Sequence, residues 1–224
     1  MKVAIAQLYT PNYDSWAPIV TNNTRAYCDA HSYQFFFKRI QYPTDRHPAW
    51  YRIPFILDLF REEDVDWVFW SDIDSLIMNH SICVEDFLKD DKDLIIASQG
   101  EGYYCGSRWE QLLNTGQFFI KNTEWSTELL NLWWEWPESN SKYLWDEWWD
   151  NEAMNFFWKN NTLDFSDKAE VEYLTRRFNS FHTSHISSRR YVEGDFLCHF
   201  TGGKSSEVRE RLVGEYVTKR RLSP

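Results

Sequence analysis

Two hydrophobic patterns alternate along the chain. Short β-prone runs such as residues 67–70 are apolar at every position, which is typical of strands buried on both faces. Longer segments such as the one carrying Trp50, Ile53 and Leu57 place apolar residues three or four positions apart, the spacing of a helix with one buried face. Because strands and helices alternate, the pattern predicts an α/β sandwich, and the length suits a single domain.

The predicted elements follow from these patterns. The predicted strands cover residues 3–8, 34–40, 66–76, 94–98, 112–120, 171–178 and 196–200. The predicted helices cover residues 14–31, 49–63, 145–159 and 205–219. A further helix, capped by Asn122 or Thr123, is expected to end at about residue 136, before Pro137. Residues 100–108, rich in Gly, Tyr and Ser, are expected to form a loop that closes over a ligand.

Two carboxylates follow the most apolar of these runs. Asp72 and Asp74 come directly after residues 67–71, and in an extended strand both would point to the same face. Neighbouring buried carboxylates are costly unless a positive charge compensates them. The carboxyl ends of strands in an α/β sheet are also where ligands bind. We therefore expect Asp72 and Asp74 to hold Mg²⁺ or Mn²⁺, which accept oxygen ligands, together with a phosphate group.

His199 ends another apolar run in the same way. Neutral imidazole is a suitable third ligand for Mn²⁺. The glycines Gly202 and Gly203 allow close approach of the backbone to a ligand, and Lys204 can neutralise a diphosphate. The segment lacks the G-x-x-x-x-G-K-[ST] spacing of a Walker loop, so it predicts a phosphate site of another kind.

Two further segments carry polar groups inside apolar surroundings. Asn114 and Gly116 interrupt a predicted strand, where glycine marks either a bulge or the close approach of a ligand or another backbone. The amide of Asn114 could hydrogen-bond a sugar hydroxyl. Asp150 and Glu152 lie near the start of a predicted helix, where the helix dipole favours acidic residues. Either carboxylate could instead face a reacting carbon as nucleophile, general base or cation stabiliser.

Composition narrows the possible classes of function. The 224 residues carry a formal net charge of −10, which argues against nucleic acid as a partner because phosphate backbones bind clustered Lys and Arg. Aromatic residues make up 18% of the chain, and their faces can stack on the apolar faces of sugar rings. No apolar run approaches the roughly 20 residues of a membrane span, and no signal peptide is recognisable. We therefore expect a soluble, cytoplasmic protein.

The order of these motifs resembles that of the family 34 glycosyltransferases, which include galactosyl- and mannosyltransferases of fungi and xyloglucan xylosyltransferases of plants. The similar blocks are residues 67–74, 113–130, 150–153 and 199–204, with a weaker one at 49–54. The resemblance implies a GT-A fold with a Rossmann-like mixed central sheet flanked by helices. It also implies a nucleotide-sugar donor, Mn²⁺ or Mg²⁺, and retention of the anomeric configuration. A free-standing domain of this kind looks like a viral or bacterial relative, or like a fragment of a longer enzyme.

The resemblance implies roles for individual residues. Asp72 and Asp74 would be the D-x-D metal ligands, and His199 would be the third ligand. Lys204 would contact the donor diphosphate, and Asn114 with Gly116 would lie near the donor sugar. The full expected donor site consists of Tyr9, Arg52, Asp72, Asn114, Gly116, Gly202 and Lys204. The segment Asp150-Asn151-Glu152 matches an Asp-Asp-Gln-like segment of the family, so either Asp150 or Glu152 would face the anomeric carbon.

These observations favour a metal-dependent glycosyltransferase that moves a sugar from a nucleotide-diphosphate sugar to a glycan hydroxyl. UDP is favoured over GDP by the resemblance, and galactose, glucose, xylose, mannose or a deoxyhexose all fit as the sugar. Residues 1–100 would form the donor-binding half, 101–204 the acceptor and catalytic half, and 205–224 a C-terminal helix. Two alternatives stay open: a metal-dependent phosphohydrolase or nucleotidyltransferase, and a carbohydrate-binding protein without catalysis.

Overall fold

A six-stranded mixed β-sheet lies between two layers of helices. The computed structural model describes residues 1–104, 107–139, 141–145, 149–184, 186–201 and 206–222. For residues 100–104, 107–111, 139, 206 and 219–222 it describes the backbone. The strands are β1 (Val3–Tyr9), β2 (Gln34–Arg39), β3 (Trp67–Ser71), β4 (Ser75–Ile77), β5 (Leu94–Tyr104), β6 (Ser107–Lys121), β7 (Ala169–Glu172), β8 (Ser180–Phe181) and β9 (Leu197–His199).

The central sheet has the strand order β2-β1-β3-β6-β5-β7. Strand β1 runs parallel to β2 and β3, strand β7 runs parallel to β5, and β6 is antiparallel to both of its neighbours. The strands β4, β9 and β8 form a second sheet in that order. The α/β class and the mixed central sheet expected from the sequence are therefore confirmed.

The helices cover the two faces of the central sheet unequally. They are α1 (Ala17–His31), α2 (Arg52–Glu62), α3 (Glu124–Ser139), α4 (Trp149–Lys159), α5 (Phe165–Lys168) and α6 (Ser206–Leu222). Helices α2, α3 and α4 pack on one face, and α1 packs on the other. Leu212 and Val213 of α6 join Ala17 and Val20 of α1 in a third apolar cluster. Among the described residues, no helix has both the length and the apolar character that crossing a membrane requires.

Strand β3 is apolar at four successive positions because it lies in the middle of the sheet. Val68 and Trp70 pack into the cluster under α2 and α3, whereas Trp67 and Phe69 pack into the cluster under α1. Successive side chains of a strand point to opposite faces, so such a run needs apolar cover on both sides. The buried central strand predicted from residues 67–70 is confirmed.

The predicted strand 66–76 is two strands that belong to different sheets. Strand β3 ends at Ser71 and β4 begins at Ser75, with a turn closed by a hydrogen bond from the Ser75 N–H to the Asp72 carbonyl, 3.0 Å. The expectation that Asp72 and Asp74 share one face of an extended strand is therefore wrong. The physical reason is the change of partner, since β3 pairs with β6 and β4 pairs with β9.

Three other predicted boundaries differ from the structure. The predicted loop at residues 100–108 is wrong, because the described backbone there pairs in the ladder between β5 and β6, with register shifts near Gly100 and Gly102. Helix α3 continues through Pro137 to Ser139, because the fixed φ of proline is itself helical and only two residues of the helix follow it. The predicted strand 171–178 ends at Glu172, and a turn of 3₁₀ helix follows at Thr175–Arg177.

Phe119 offers a test of the central packing. Its ring stacks on Phe69 with centroids 4.4 Å apart, and both side chains are fully buried. We predict that Phe119→Ala lowers the free energy of unfolding by about 3–5 kcal/mol, because the removed ring leaves a cavity. Tyr42→Ala is the control, since Tyr42 is 54% exposed, and it should change the value by less than about 0.5 kcal/mol. Chemical denaturation measures both, and similar losses in the two variants would contradict the prediction.

Candidate metal centre and adjoining cleft

Asp72, Asp74 and His199 meet where the two sheets join. Each offers one ligand atom, and these atoms all lie within 4.8 Å of one another. The carboxylates come from the turn between β3 and β4, and His199 is the last residue of β9, which pairs with β4 at Ser75. The Phe200 N–H donates to the Asp74 carbonyl at 2.8 Å and ties the two segments together. The three predicted ligands are thus brought into one group.

This group fits a divalent cation of the Mg²⁺ or Mn²⁺ kind. Two ligands on opposite sides of such an ion lie roughly 4.2 Å apart, twice the bond length, so a spread of 4.8 Å requires little closure. Two carboxylates and one imidazole are ligands that Mn²⁺ accepts. Asp72 and Asp74 are half-buried whereas His199 is buried, so an ion held here would keep open positions towards solvent or substrate.

Gly116 makes room for the cluster of Asp72, Asp74 and His199, which we call the metal group. A Cβ atom at position 116 would lie 2.5 Å from Cε1 of His199, 2.9 Å from Oδ1 of Asn114 and 3.1 Å from Oδ2 of Asp72. Contacts shorter than 3.0 Å essentially never occur for Cβ atoms, so any larger residue would displace the imidazole. A glycine in a strand predicts the close approach of another group, and here the approaching groups are side chains of the protein itself.

Two arginines offset the charge of the carboxylates. Nη2 of Arg52 lies 3.3 Å from Oδ1 of Asp72, and Nε of Arg209 lies 3.5 Å from Oδ2 of Asp74. Burial raises the pKa of Asp72 despite Arg52, and the neighbouring Asp74 adds to the rise. Burial also acts to raise the pKa of Asp74, but His199 and Arg209 outweigh it, and the pKa of Asp74 is lowered. A bound cation would favour the ionised form of both carboxylates.

Arg52 connects the metal group to a third carboxylate, that of Asp150. Nε of Arg52 lies 3.3 Å from Oδ2 of Asp150 and donates to the Ala49 carbonyl at 2.9 Å, while Nη1 donates to the Thr115 carbonyl. The guanidinium lies over the Trp70 ring, 5.3 Å from its centroid. Because Arg52 is the first residue of α2, the start of that helix places the buried guanidinium of Arg52 between the D-x-D turn and α4.

The carboxylate of Asp150 is fully buried. Its Oδ2 accepts a hydrogen bond from Oγ1 of Thr115 at 3.0 Å, whereas Oδ1 has no hydrogen-bond partner among the described residues. Burial raises the pKa of Asp150, although Arg52 and Thr115 act in the opposite direction. A buried oxygen without a partner calls for an explanation, and a ligand contact is one.

An open cleft of about 440 Å³ adjoins the metal group. Its walls come from the ends of β1 and β3, the starts of α2 and α4, and one residue of α6. The predicted site residues that line it are Tyr9, Arg52, Asp72, Asp74 and Asp150. Within the described part of the chain, the wall does not include Asn114, Gly116, Glu152 or His199. The predicted donor residues Gly202 and Lys204 lie outside the described residues.

The sequence interpretation missed several residues of this wall. His47 and Trp149 stack face to face with ring centroids 3.8 Å apart. Burial, with Arg52 nearby, lowers the pKa of His47 to about 4, so this ring is neutral at pH 7. Arg209 reaches the cleft from α6. It precedes the buried residues Leu212 and Val213 by three and four positions, so helical spacing places it on the inward face of α6, and this was the sequence signal that could have identified it.

With this geometry in place, the comparisons with known proteins become informative. The profile of the galactosyl transferase GMA12/MNN10 family matches residues 3–99 and 103–209. These segments include every residue of the metal group and of the cleft wall. The chain belongs to this family. The resemblance to family 34 glycosyltransferases drawn from the motifs is thereby confirmed.

Curated members of the family are distant and longer. "Probable alpha-1,6-mannosyltransferase MNN10" of Saccharomyces cerevisiae is 26% identical over 180 residues, which cover 66% of this chain and 44% of that protein. "Uncharacterized alpha-1,2-galactosyltransferase C1289.13c" of Schizosaccharomyces pombe is 24% identical over 214 residues, 82% of this chain and 55% of that protein. This chain therefore spans about half the length of these two relatives.

Solved glycosyltransferase structures share the family's fold. A glycosyltransferase involved in the glycosylation of the major capsid of PBCV-1 superposes with a TM-score of 0.75 at 12% identity, over 96% of this chain and 100% of that one. Galactosyltransferase LgtC, in complex with donor and acceptor sugar analogues, gives a TM-score of 0.55 at 15% identity, over 95% of both chains. The predicted GT-A fold and the likeness to a viral enzyme are confirmed.

The raised pKa of Asp150 predicts a specific dependence of stability on pH. A carboxyl whose pKa is higher in the folded state stabilises the fold while protonated, and this contribution is lost as the pH rises through the folded pKa. Compared with Asp150→Asn, which cannot titrate, the wild-type chain should lose stability above about pH 4, the unfolded pKa. The loss should reach at most about 1.4 kcal/mol per pH unit until the folded pKa is passed.

Urea unfolding of both chains between about pH 4 and about pH 7 measures this difference. Asp167→Asn is the control for the loss of one carboxylate, because Asp167 is an exposed residue of α5, and it should change the free energy of unfolding by less than about 0.5 kcal/mol. A difference between wild type and Asp150→Asn that stays constant over the range would show that Asp150 does not have a raised pKa.

Proposed function

We propose that the chain transfers a sugar from a nucleotide-diphosphate sugar to a hydroxyl group of a glycan, with the help of Mn²⁺ or Mg²⁺. The observation that supports this most is the convergence of Asp72, Asp74 and His199 at the head of a cleft in a member of a glycosyltransferase family. The fold shared with LgtC, a galactosyltransferase solved with donor and acceptor sugar analogues, is consistent with such a substrate pair.

Asp72, Asp74 and His199 would hold the cation in this reaction. A divalent cation, when bound, supplies positive charge to the diphosphate and stabilises it as a leaving group. Tyr9 and Tyr13 line the cleft beside the carboxylates and offer aromatic surface to the nucleotide. The family resemblance favours UDP as that nucleotide and retention of configuration as the stereochemical outcome.

Arg209 and Lys204 would share the charge of the diphosphate with the cation. Arg209 lines the cleft and reaches Asp74, so its guanidinium is already beside the position where phosphates would bind. Arginine recognises phosphate oxygens with two parallel N–H donors, which gives orientation as well as attraction. Because Arg209 belongs to α6, we assign this helix to the donor site together with residues 1–100. Residues 101–204 would form the acceptor and catalytic half, apart from His199 and Lys204, which would serve the donor.

Between the two candidate carboxylates we propose Asp150 as the one nearer the reacting carbon. Asp150 lines the cleft and has an oxygen without a partner among the described residues, whereas Glu152 is half-buried and outside the described wall. Arg52 contacts both Asp150 and Asp72, so it fixes the distance between the carboxylate at the sugar and the carboxylate at the cation. An ionised Asp150 could stabilise an oxocarbenium-like centre by its charge.

The first test replaces a metal ligand. In the wild-type chain the correct nucleotide sugar, at about 100 times its Kd and with Mn²⁺ present, should raise the melting midpoint by roughly 5–10 °C. Asp74→Asn should abolish this rise and lower the rate of transfer by about 100-fold or more, because one charged ligand is lost. A thermal-shift panel of UDP- and GDP-sugars, with and without Mn²⁺, identifies the donor, and a transfer assay follows with that donor.

Asp167→Asn is the matched control and should behave as the wild-type chain does. Transfer by Asp74→Asn at the wild-type rate would contradict the proposal. Metal-dependent hydrolysis of nucleotides that carry no donor sugar on the diphosphate, without transfer, would favour the phosphohydrolase alternative instead. Glycan binding that is indifferent to EDTA, with no turnover of any nucleotide sugar, would favour a binding protein without catalysis.

The second test concerns Arg209. We predict that Arg209→Gln weakens the binding of UDP in saturating Mn²⁺ by about tenfold to a hundredfold, the loss expected for a hydrogen bond to a charged group. Binding of Mn²⁺ itself should not weaken, because the variant removes a positive charge from beside Asp74. Calorimetry measures both affinities. Arg211→Gln, an exposed residue of the same helix paired with Glu215, should leave both unchanged, and equal UDP affinity in Arg209→Gln would contradict the role.

A further inference from the structure

A chain of amide hydrogen bonds lies behind His199, on the side away from the carboxylates. Nδ1 of His199 lies 2.9 Å from Oδ1 of Asn179, and Nδ2 of Asn179 donates to Oδ1 of Asn114 at 3.0 Å. The same Oδ1 of Asn114 accepts the backbone N–H of Gly116 at 3.0 Å. Asn114 then turns its Nδ2 towards Oε1 of Gln99, 3.4 Å away.

The backbone N–H of Gly116, at the far end of this series of hydrogen bonds, fixes which amide atoms donate and which accept. An amide side chain can turn over and exchange its donor and acceptor, but the backbone N–H of Gly116 can only donate. Asn114 must therefore present its oxygen to Gly116, and the same oxygen then requires the donor group of Asn179. Asn179 is left with its oxygen facing the imidazole, so the proton of His199 must sit on Nδ1.

We propose that Asn114 and Asn179 are positioning residues that hold His199 in the tautomer with its proton on Nδ1. This tautomer leaves the lone pair of Nε2 directed at the carboxylates. The proposal deepens the metal site of the proposed function and rests on it for its consequence, but the tautomer itself can be measured without a metal.

The arrangement matters because a competing tautomer is within reach. Nε2 of His199 lies 3.2 Å from Oδ1 of Asp74, close enough for an Nε2–H to donate to that carboxylate. In that state the imidazole would have no lone pair on this side, and one carboxylate oxygen would be occupied by a proton rather than by a cation. The hydrogen-bonded relay through Asn179 and Asn114 opposes this tautomer, since an Nδ1 without a proton would leave the oxygen of Asn179 without a donor in the part of the chain that the structure describes.

Burial makes the relay effective. Asn179 is fully buried and His199 is 3% exposed, so water has little access to replace a mismatched partner. Gly116 contributes twice, because its N–H sets the direction and its missing side chain admits the imidazole. Partners of this kind orient metal-bound histidines in general, and their loss typically lowers metal affinity by about 10–100-fold.

The first experiment measures the tautomer in the wild-type chain. Two-dimensional NMR of ¹⁵N-labelled protein distinguishes Nδ1–H from Nε2–H, and the pH is raised in the metal-free protein until the ring is neutral. We expect the signal of the Nδ1–H form for His199. The Nε2–H form in the wild-type chain would overturn the proposal, whatever reaction the protein catalyses.

The second experiment changes Asn179. In Asn179→Leu the imidazole loses its acceptor, and we expect a mixture of tautomers together with about 10–100-fold weaker Mn²⁺ binding by calorimetry. Asn179→Asp keeps an acceptor for Nδ1–H but loses the donor to Oδ1 of Asn114, so it should keep the Nδ1–H tautomer and retain more Mn²⁺ affinity than Asn179→Leu. A purely structural role would not be rescued selectively in this way.

Asn122→Leu is the control, because it removes a hydrogen-bonded amide, which donates to the carbonyls of Phe60 and Val65, at the opposite end of β3. It should leave both readouts unchanged. If Asn179→Leu does not fold, the wild-type tautomer and Asn179→Asp still decide the question. Unchanged tautomer and Mn²⁺ affinity in a folded Asn179→Leu would overturn the proposal. An Nδ1–H tautomer in a chain that binds no Mn²⁺ would support the relay and contradict the proposed function.

Discussion

Compensation of negative charge at the end of β3 is the constraint on which the rest of the site depends. Asp72, Asp74 and Asp150 lie close together at the edge of an apolar core, where unpaired carboxylates would be costly. Arg52 contacts the first and third, and Arg209 contacts the second. The start of α2 and one face of α6 therefore bring compensating charge to the D-x-D turn and to Asp150 at the start of α4.

Local signals made part of this predictable. The fully apolar run of β3 indicated a central strand, and two carboxylates at its end indicated a site, because burial and charge conflict at that point of the sequence. His199 gave the same kind of signal at the end of β9. The order of the motifs added the family, so the amino-acid sequence was sufficient to predict the fold class and the three residues that meet in the candidate metal centre.

Other parts depended on contacts between distant segments. The two-sheet arrangement could not be anticipated, because the residues of β3 and β4 both have the pattern of a strand, and only the pairing of β4 with β9 separates them. Asn179 followed a predicted strand without any motif of its own, and its role arises from its position between His199 and Asn114. The antiparallel pairing of β5 with β6 at Gly100 and Gly102 shows a different failure, in which sheet pairing overrides the loop preference of glycine.

The change of sheet at the D-x-D turn has a mechanical consequence. Asp72 is tied to the central sheet, since its N–H donates to the Gly116 carbonyl and its carboxylate contacts Arg52. Asp74 is tied to the second sheet, since its carbonyl accepts the Phe200 N–H beside His199. A cation shared by these ligands would therefore join the two sheets, and would also act on α6 through Arg209. Metal binding would then be coupled to the docking of the second sheet, so residues that fix this docking would influence metal affinity without touching the ion.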